Sequence, residues 1–376
     1  SKGVEGAQTQ YPGCGYDRRR GRLMRDTISG MYVANLSIDA FLNQPAQWKS
    51  SVLGTLCFCA DGAESAMQVA MDIPYTSVHM QPMDASGSIC EVWQGSGQLT
   101  QGRRGALRYR HDEEMLFGVI ALPEAMFEAD AEKTPLQQAA ESAYGQVFAL
   151  LDSMRFPHLL RVWNYIADIN IHSFGLERYR QFNLGRQDAF LGHGREVVGN
   201  VPAASALGSA QGPLTIAFLA GRAVPQGIEN PRQISAYQYP QQYGPRSPTF
   251  SRASLVRLEQ GEVLFVSGTA SIVGHASLHP GDVVAQTRET MANIEAVLAE
   301  ANRLAHQTRF VLGDLYYKVY VRDPADLEQI RAELAQHVGD ALKAVYLQAD
   351  VCRQDLLLEI EAIAAPALVF TVGGRD

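Results

Sequence analysis

One order of elements occurs twice along this chain, and that repetition restricts its fold more than any single motif does. In the first copy, residues 89–93 and 106–122 alternate as strands do. Thr134-Pro135-Leu136-Gln137 then reads as a capping box with proline at the first helical position. Leu136, Ala140, Tyr144, Val147 and Leu151 follow at helical spacing. Residues 158–169 read as a strand, 176–190 as a second helix and 202–220 as an extended stretch, giving β-β-α-β-α-β. In the second copy, residues 255–258 and 262–273 are strands, and Asp282 caps a long helix with Val284, Met291, Ile294, Val297 and Ala301 on one face. A strand over 310–321, a shorter helix opened by Asp323-Pro324 and a return over 343–364 complete it. The expected fold is α+β: two tandem units whose sheets are backed by helices.

Around these units, residues 1–27 read as a tail and 28–87 as a strand-rich extension. The units span 88–236 and 253–365, joined by a loop at 237–252, and 366–376 form a C-terminal tail. Lys and Arg total 32 against 40 Asp and Glu, a net charge of −8, which argues against nucleic acid as the main partner. No apolar run approaches the ~20 residues of a bilayer span, and the arginines Arg18, Arg19, Arg20, Arg22 and Arg25 precede no apolar signal core. Five cysteines match no disulfide framework, so the expectation is a reduced, cytoplasmic protein with Cys57 and Cys59 as small buried residues. Gly192-His193-Gly194 and Gly274-His275 read as turns; no metal-ligand cluster or phosphate-cradling loop occurs, and neither metal nor organic cofactor is expected.

Three constellations carry chemistry. Tyr179 and Arg186 lie seven residues apart, so a helix presents both on one side with Phe182 and Phe190. The loop contains Tyr237, Tyr239, Tyr243, Arg246 and Arg252 and has no regular period; its aromatic content favours a ligand-facing loop over a disordered linker. Along residues 352–362, Leu356, Leu358 and Ile360 share one strand face, while Leu357, Glu359 and Glu361 share the other. Those glutamates are either the wet face of a sheet or, with Leu357 beside them, carboxyls against a cavity whose pKa burial would raise. Cys352 and Glu359 share a site only if the chain turns at Arg353-Gln354-Asp355.

Residues 250–365 resemble the reactive-intermediate deaminase type of domain through Leu264-Phe265-Val266-Ser267-Gly268-Thr269-Ala270, the long helix, and residues 357–362. The wider pattern over about residues 85–365 resembles the chorismatases. It comprises Arg161-Val162-Trp163-Asn164-Tyr165, the run from Glu177 to Arg186, the Tyr239–Arg252 loop, Gly268 to His275, and Cys352 to Glu359. The resemblance implies cofactor-independent cleavage of the enol ether of chorismate to release pyruvate. Glu359 matches the family's catalytic acid, and Cys352 matches the kind that aromatises the ring to a hydroxybenzoate, with the 3-isomer expected. Tyr179, Arg186, Tyr239 and Arg252 are the expected ligands of carboxylates and hydroxyls. Deaminase-type domains commonly trimerise, whereas a duplicated chain with an extra strand region could complete a similar arrangement alone, so monomer and trimer both stay open.

Overall fold

Capping residues set the helices much as the sequence predicts. The computed structural model describes residues 14–17, 22–25, 32–59, 72–84 and 87–365. Its first sheet is built from β1 (Tyr32–Ser37), β2 (Val52–Cys59), β3 (Tyr75–His79) and β4 (Ile89–Gln94), with α1 (Ile38–Leu42) and α2 (Ala46–Lys49) between β1 and β2. The second unit runs β5 (Thr100–Arg104), β6 (Leu107–His111), β7 (Met115–Leu122), α3 (Pro135–Met154), β8 (His158–Ala167), α4 (Arg178–Gly192), β9 (Ala203–Ser209) and β10 (Leu214–Gly221). The third runs β11 (Gln226–Ile228), β12 (Ala253–Leu258), β13 (Gly261–Thr269), α5 (Val283–Leu304), β14 (Tyr316–Val321), α6 (Leu327–Val338), β15 (Lys343–Gln348), β16 (Asp350–Val351) and β17 (Leu358–Ala364). Thr134 accepts from Gln137 N to begin α3, and Asp282 accepts from Ala285 N to begin α5. Gln137 does not close a reciprocal box, because its amide donates to Asp188 instead.

Each final extended stretch resolves into two main strands. In addition, residues 89–93, expected to open the first unit, pair within the extension's sheet instead, and 106–122 splits into β6 and β7, so the shared order β-β-α-β-α-β-β runs from β6 to β10 and from β12 to β17. Sheet order shows the duplication directly: β9-β8-β10-β7-β6 in one sheet corresponds to β15-β14-β17-β13-β12 in the other. In both, a parallel pair (β8 with β9, β14 with β15) is followed by antiparallel neighbours. The extension repeats the same plan in shortened form, since its sheet runs β3-β2-β4-β1 with β2 and β3 parallel. It is a further copy, the first in chain order, which makes the units over 100–221 and 226–364 the second and third; the sequence pattern shows only a strand-rich segment there. Within the segment expected to be a tail, Cys14–Asp17 and Arg22–Arg25 pair as an antiparallel hairpin. The C-terminal tail, 366–376, lies outside the described residues.

The three sheets turn their inner faces together. One apolar cluster joins Val33, Phe58 and Trp93 of the first, Phe117, Trp163 and Leu219 of the second, and Phe265, Tyr316 and Leu347 of the third. Each outer face packs on its own helices, as in the cluster of Leu136, Tyr144, Phe182 and Phe218. Across β2 and β4, Cys57 stands directly opposite Cys90 and the two form a disulfide, which corrects the expectation of unpaired thiols; Cys59 is buried, as expected. No sequence spacing announces this pair, because cross-strand neighbours 33 residues apart meet only through register. Among the described residues, no helix is long and apolar enough to cross a membrane.

Helices α3 and α4 pack closely at Gly185, where a Cβ would overlap the carbonyl oxygen of Gln137. That approach fixes the face of α4 that carries Tyr179 and Arg186. Gly185→Ala is expected to lower stability by about 2–3 kcal/mol, read as a lower urea midpoint; an unchanged midpoint would mean the helices part at no cost.

Candidate active site

At the seam between the second and third copies lies a cavity of about 500 Å³. All six residues expected at a site line it: Tyr179, Arg186, Tyr239, Arg252, Cys352 and Glu359. They come from α4, from the connecting loop, and from the segment ending in β17.

The α4 pair is set by helical spacing. Arg186 is buried, lies 5.0 Å from the centroid of the Phe182 ring, and donates through Nη2 to Asn183 Oδ1 at 2.7 Å. The loop pair is joined directly. Arg252 Nη2 donates to the Tyr239 hydroxyl at 2.7 Å and to the Ile234 carbonyl at 2.8 Å. The loop is ordered by two short 3₁₀ turns, Ala236–Gln238 and Gln241–Tyr243, rather than by longer elements, which explains its lack of period.

The chain does turn between Cys352 and Glu359, and Leu356 N donates to Arg353 O to close the turn. Arg322 fastens it from outside, donating to the carbonyls of Arg353 and Leu356, both at 2.9 Å. Gln286 of α5 accepts from Leu357 N and donates to Asp355 O, each at 2.8 Å. The turn brings Cys352 Sγ to 3.9 Å from Glu359 Oε2. It also corrects one detail of the face assignment. Regular alternation begins only at Leu358, and Leu357 packs with the α5 and α6 cluster instead of beside the glutamates.

Glu359 and Glu361 are not a wet face: they are 4% and 5% exposed and point toward the second copy's sheet. Their environments drive them apart. Burial, with the nearby charge of Glu361, pushes the Glu359 carboxyl up to about 8, although Arg161, Cys352 and Arg252 oppose the rise. Burial alone would raise Glu361 too, but Lys318 and Arg161 outweigh it and hold that carboxyl down at about 2. Burial and Glu359 push the Cys352 thiol up to about 12, so it stays protonated. Space for the Glu359 carboxyl exists because position 268 is glycine, where a Cβ would overlap its Oε1. Strand β13 shifts register at the same place, between Val266 and Thr269.

Residues that sequence reasoning leaves without a role also line the cavity. The Arg353 guanidinium stacks at 4.0 Å from the Tyr243 ring centroid and 5.2 Å from that of Tyr239, and Tyr243 bonds His275 Nδ1 at 3.1 Å. Arg353 adjoins Cys352 in sequence, but only the turn aims it inward. With Arg180 the cavity therefore holds four arginines against the carboxylates of Glu177 and Asp355 and a protonated Glu359, a formal surplus of two positive charges. Arg186 Nε, Arg252 Nε and Arg353 Nη2 are buried without a hydrogen-bond partner among the described residues. Such donors suit an anion, and charged guanidiniums bind carboxylates in fork geometry.

Comparison with known proteins agrees with this geometry. The family described as Chorismatase FkbO/Hyg5-like, N-terminal, matches residues 91–220, and Endoribonuclease L-PSP matches residues 248–366. A chorismatase of Streptomyces hygroscopicus is 36% identical over 297 residues, 78% of this chain and 83% of that protein. The chain belongs to the chorismatases. A 3-hydroxybenzoate synthase of the same organism is 37% identical over 282 residues, 73% of this chain and 80% of that protein. A crystal structure of a chorismatase aligns with a TM-score of 0.77 at 31% identity, covering 90% of this chain and 99% of that one. That alignment takes in nearly the whole of the solved chorismatase and most of this chain.

The raised Glu359 has a consequence for stability. Its folded value lies above the ordinary carboxylate value, so its contribution is fully present below about pH 4.5 and is lost as pH rises through about 8. Glu359→Gln, which cannot ionise, should therefore gain stability relative to the natural protein between pH 5 and pH 9, on the order of 3 kcal/mol. Parallel pH dependence of the two unfolding midpoints would refute a protonated Glu359.

Proposed function

We propose that this protein cleaves chorismate to pyruvate and a hydroxybenzoate, chiefly the 3-isomer, with Glu359 as general acid. The single observation that carries the reading is a buried carboxyl whose pKa is raised to about 8, in a cavity with a surplus of guanidinium charge. Chorismate is a dianion with two separated carboxylates, and the unpaired donors of Arg186, Arg252 and Arg353 suit such a ligand.

Protonated Glu359 gives its hydrogen to the terminal methylene of the enol ether, which becomes a methyl group while the adjoining carbon becomes an oxocarbenium centre. The acid must carry its proton before substrate turns over, and its environment favours that form at neutral pH. The ring hydroxyl oxygen then bonds to the adjacent ring carbon that carries the ether, while that carbon's bond to the pyruvate oxygen breaks and its electron pair leaves with pyruvate. The hydroxyl proton is released, the original C–O bond opens, and a ring C–H hydrogen passes to oxygen as a proton as the ring aromatises. The proton given at the methylene is balanced by the one released from the hydroxyl. No water enters the sum: chorismate divides into pyruvate and hydroxybenzoate alone.

Cys352 fits the second stage as a wall, not as a nucleophile, because its thiol stays protonated. Its side chain stands beside the acid, where a water molecule would otherwise approach the oxocarbenium carbon. Tyr179 and Arg186 come from α4 and Tyr239 and Arg252 from the loop, so each carboxylate is offered an arginine and a tyrosine from a different element. The reading also places the reaction within one chain, with no metal or organic cofactor assigned a role.

Incubation with chorismate should release pyruvate, followed by coupled hydride consumption, together with an aromatic acid on chromatography. A dihydroxycyclohexadienoate in its place would make the enzyme hydrolytic and remove the role given to Cys352; absence of pyruvate would leave a binding protein. Glu359→Gln should lower kcat by at least ~10²-fold with KM little changed. Arg252→Met should chiefly raise KM, by roughly 10-fold or more, and an unchanged KM would remove that arginine from substrate binding. In the natural protein, kcat should fall as pH rises through about 8, because the donor loses its proton.

A further inference from the structure

Beside the cavity, four charged side chains lie together in the central core: Glu91, Arg161, Lys318 and Glu361, none more than 5% exposed. The three copies each contribute. Arg161 Nη2 donates to Glu361 Oε2 at 2.6 Å, and Lys318 Nζ lies 2.8 Å from both Glu361 Oε1 and Glu91 Oε2. Trp163 Nε1 donates to Glu361 Oε1, and Trp93 Nε1 to Glu91 Oε1, both at 2.9 Å. The Ser205 hydroxyl joins Glu361 Oε2 and Arg161, and Ser205 also lines the cavity. A buried charge group of this kind is no more stable than apolar side chains of equal volume, so its presence in an otherwise apolar core asks for another reason.

Position supplies one. Glu361 follows Glu359 by two residues on the same face of β17, about 7 Å along the strand. Both face the same two strands of the second copy: Arg161 of β8 bonds Glu361, and Ser205 of β9 touches both the charge group and the cavity. We propose that Glu361 is a positioning residue whose fixed negative charge keeps Glu359 in its proton-bearing form. This rests on the reading of Glu359 as the acid.

Polar bonds from Arg161, Trp163, Lys318 and Ser205 pin the Glu361 carboxylate, so it cannot relieve repulsion by taking up a proton or swinging away. Glu359 is then the member of the pair that stays neutral. The other groups facing Glu359 are Tyr179 and Arg186 from α4, Glu177 ahead of it, Arg252 from the loop, Cys352 and Arg353 from the turn, and Arg161 from β8. The guanidiniums among them favour the ionised acid, and Glu361 counters them. Glu91 acts one step further away, by sharing Lys318, so that this ammonium is not left to neutralise Glu361 alone.

The test is the pH dependence of kcat on chorismate for substitutions of opposite sign. Glu361→Gln should move the alkaline fall in activity down by at least about one pH unit, with a loss of ~10-fold or more at pH 8 and recovery to within about threefold at pH 6. Lys318→Met should move the same fall upward, and the double variant should lie between the two. Should Glu361→Gln not fold, Glu91→Gln adds the same net charge without touching the site and should give a smaller downward shift. Uniform loss at every pH, with the fall unmoved or moved the same way by both signs of substitution, would make the cluster purely structural and overturn the proposal. Retained turnover in Glu359→Gln would instead defeat the reading of the acid, a different result from a different variant.

Discussion

Two carboxyls buried side by side cannot both be charged unless each is closely paired with cations, and here the close ion pairs go to Glu361. Glu361 has Arg161 and Lys318 within bonding distance, whereas the Glu359 carboxyl meets the Cys352 thiol at 3.9 Å. The difference in partners, not in depth of burial, separates a carboxyl near 2 from one near 8. Glycine at 268 makes room for the neutral carboxyl, and Arg252, whose charge favours its ionisation, already donates to the Ile234 carbonyl and lies against the Phe250 ring.

Much of this is legible in the sequence, for reasons tied to particular residues. Thr134 and Asp282 cap their helices because a side-chain oxygen before an apolar-periodic run has one economical use. Tyr179 and Arg186 share a cavity because helical spacing admits little else. The strand carrying Glu359 and Glu361 is legible as alternation, and the need for a turn after Cys352 follows from parity.

What escapes sequence reasoning depends on distant pairing. Arg161, Lys318 and Glu91 are ordinary charged residues at strand positions, and only the meeting of three inner sheet faces converges them on Glu361. Cys57 and Cys90 are unreadable as a pair for the same reason: register between β2 and β4 sets them opposite. Arg353 gives no signal of its own, because a turn residue has no face until its neighbours fix one. The shortened first copy is hidden by its length, since α1 and α2 together span fewer residues than either long helix that they replace.

The cavity takes its acid from one copy and its helix-borne arginine from another, so neither copy alone contains a complete site. Covalent continuity gives the halves a fixed one-to-one ratio and a high effective concentration, with no encounter step to limit assembly at low protein abundance. It also frees the copies from having to match one another: one could specialise in grip and its neighbour in proton delivery, a division of labour that identical subunits, each bound to fill every seam alike, cannot adopt.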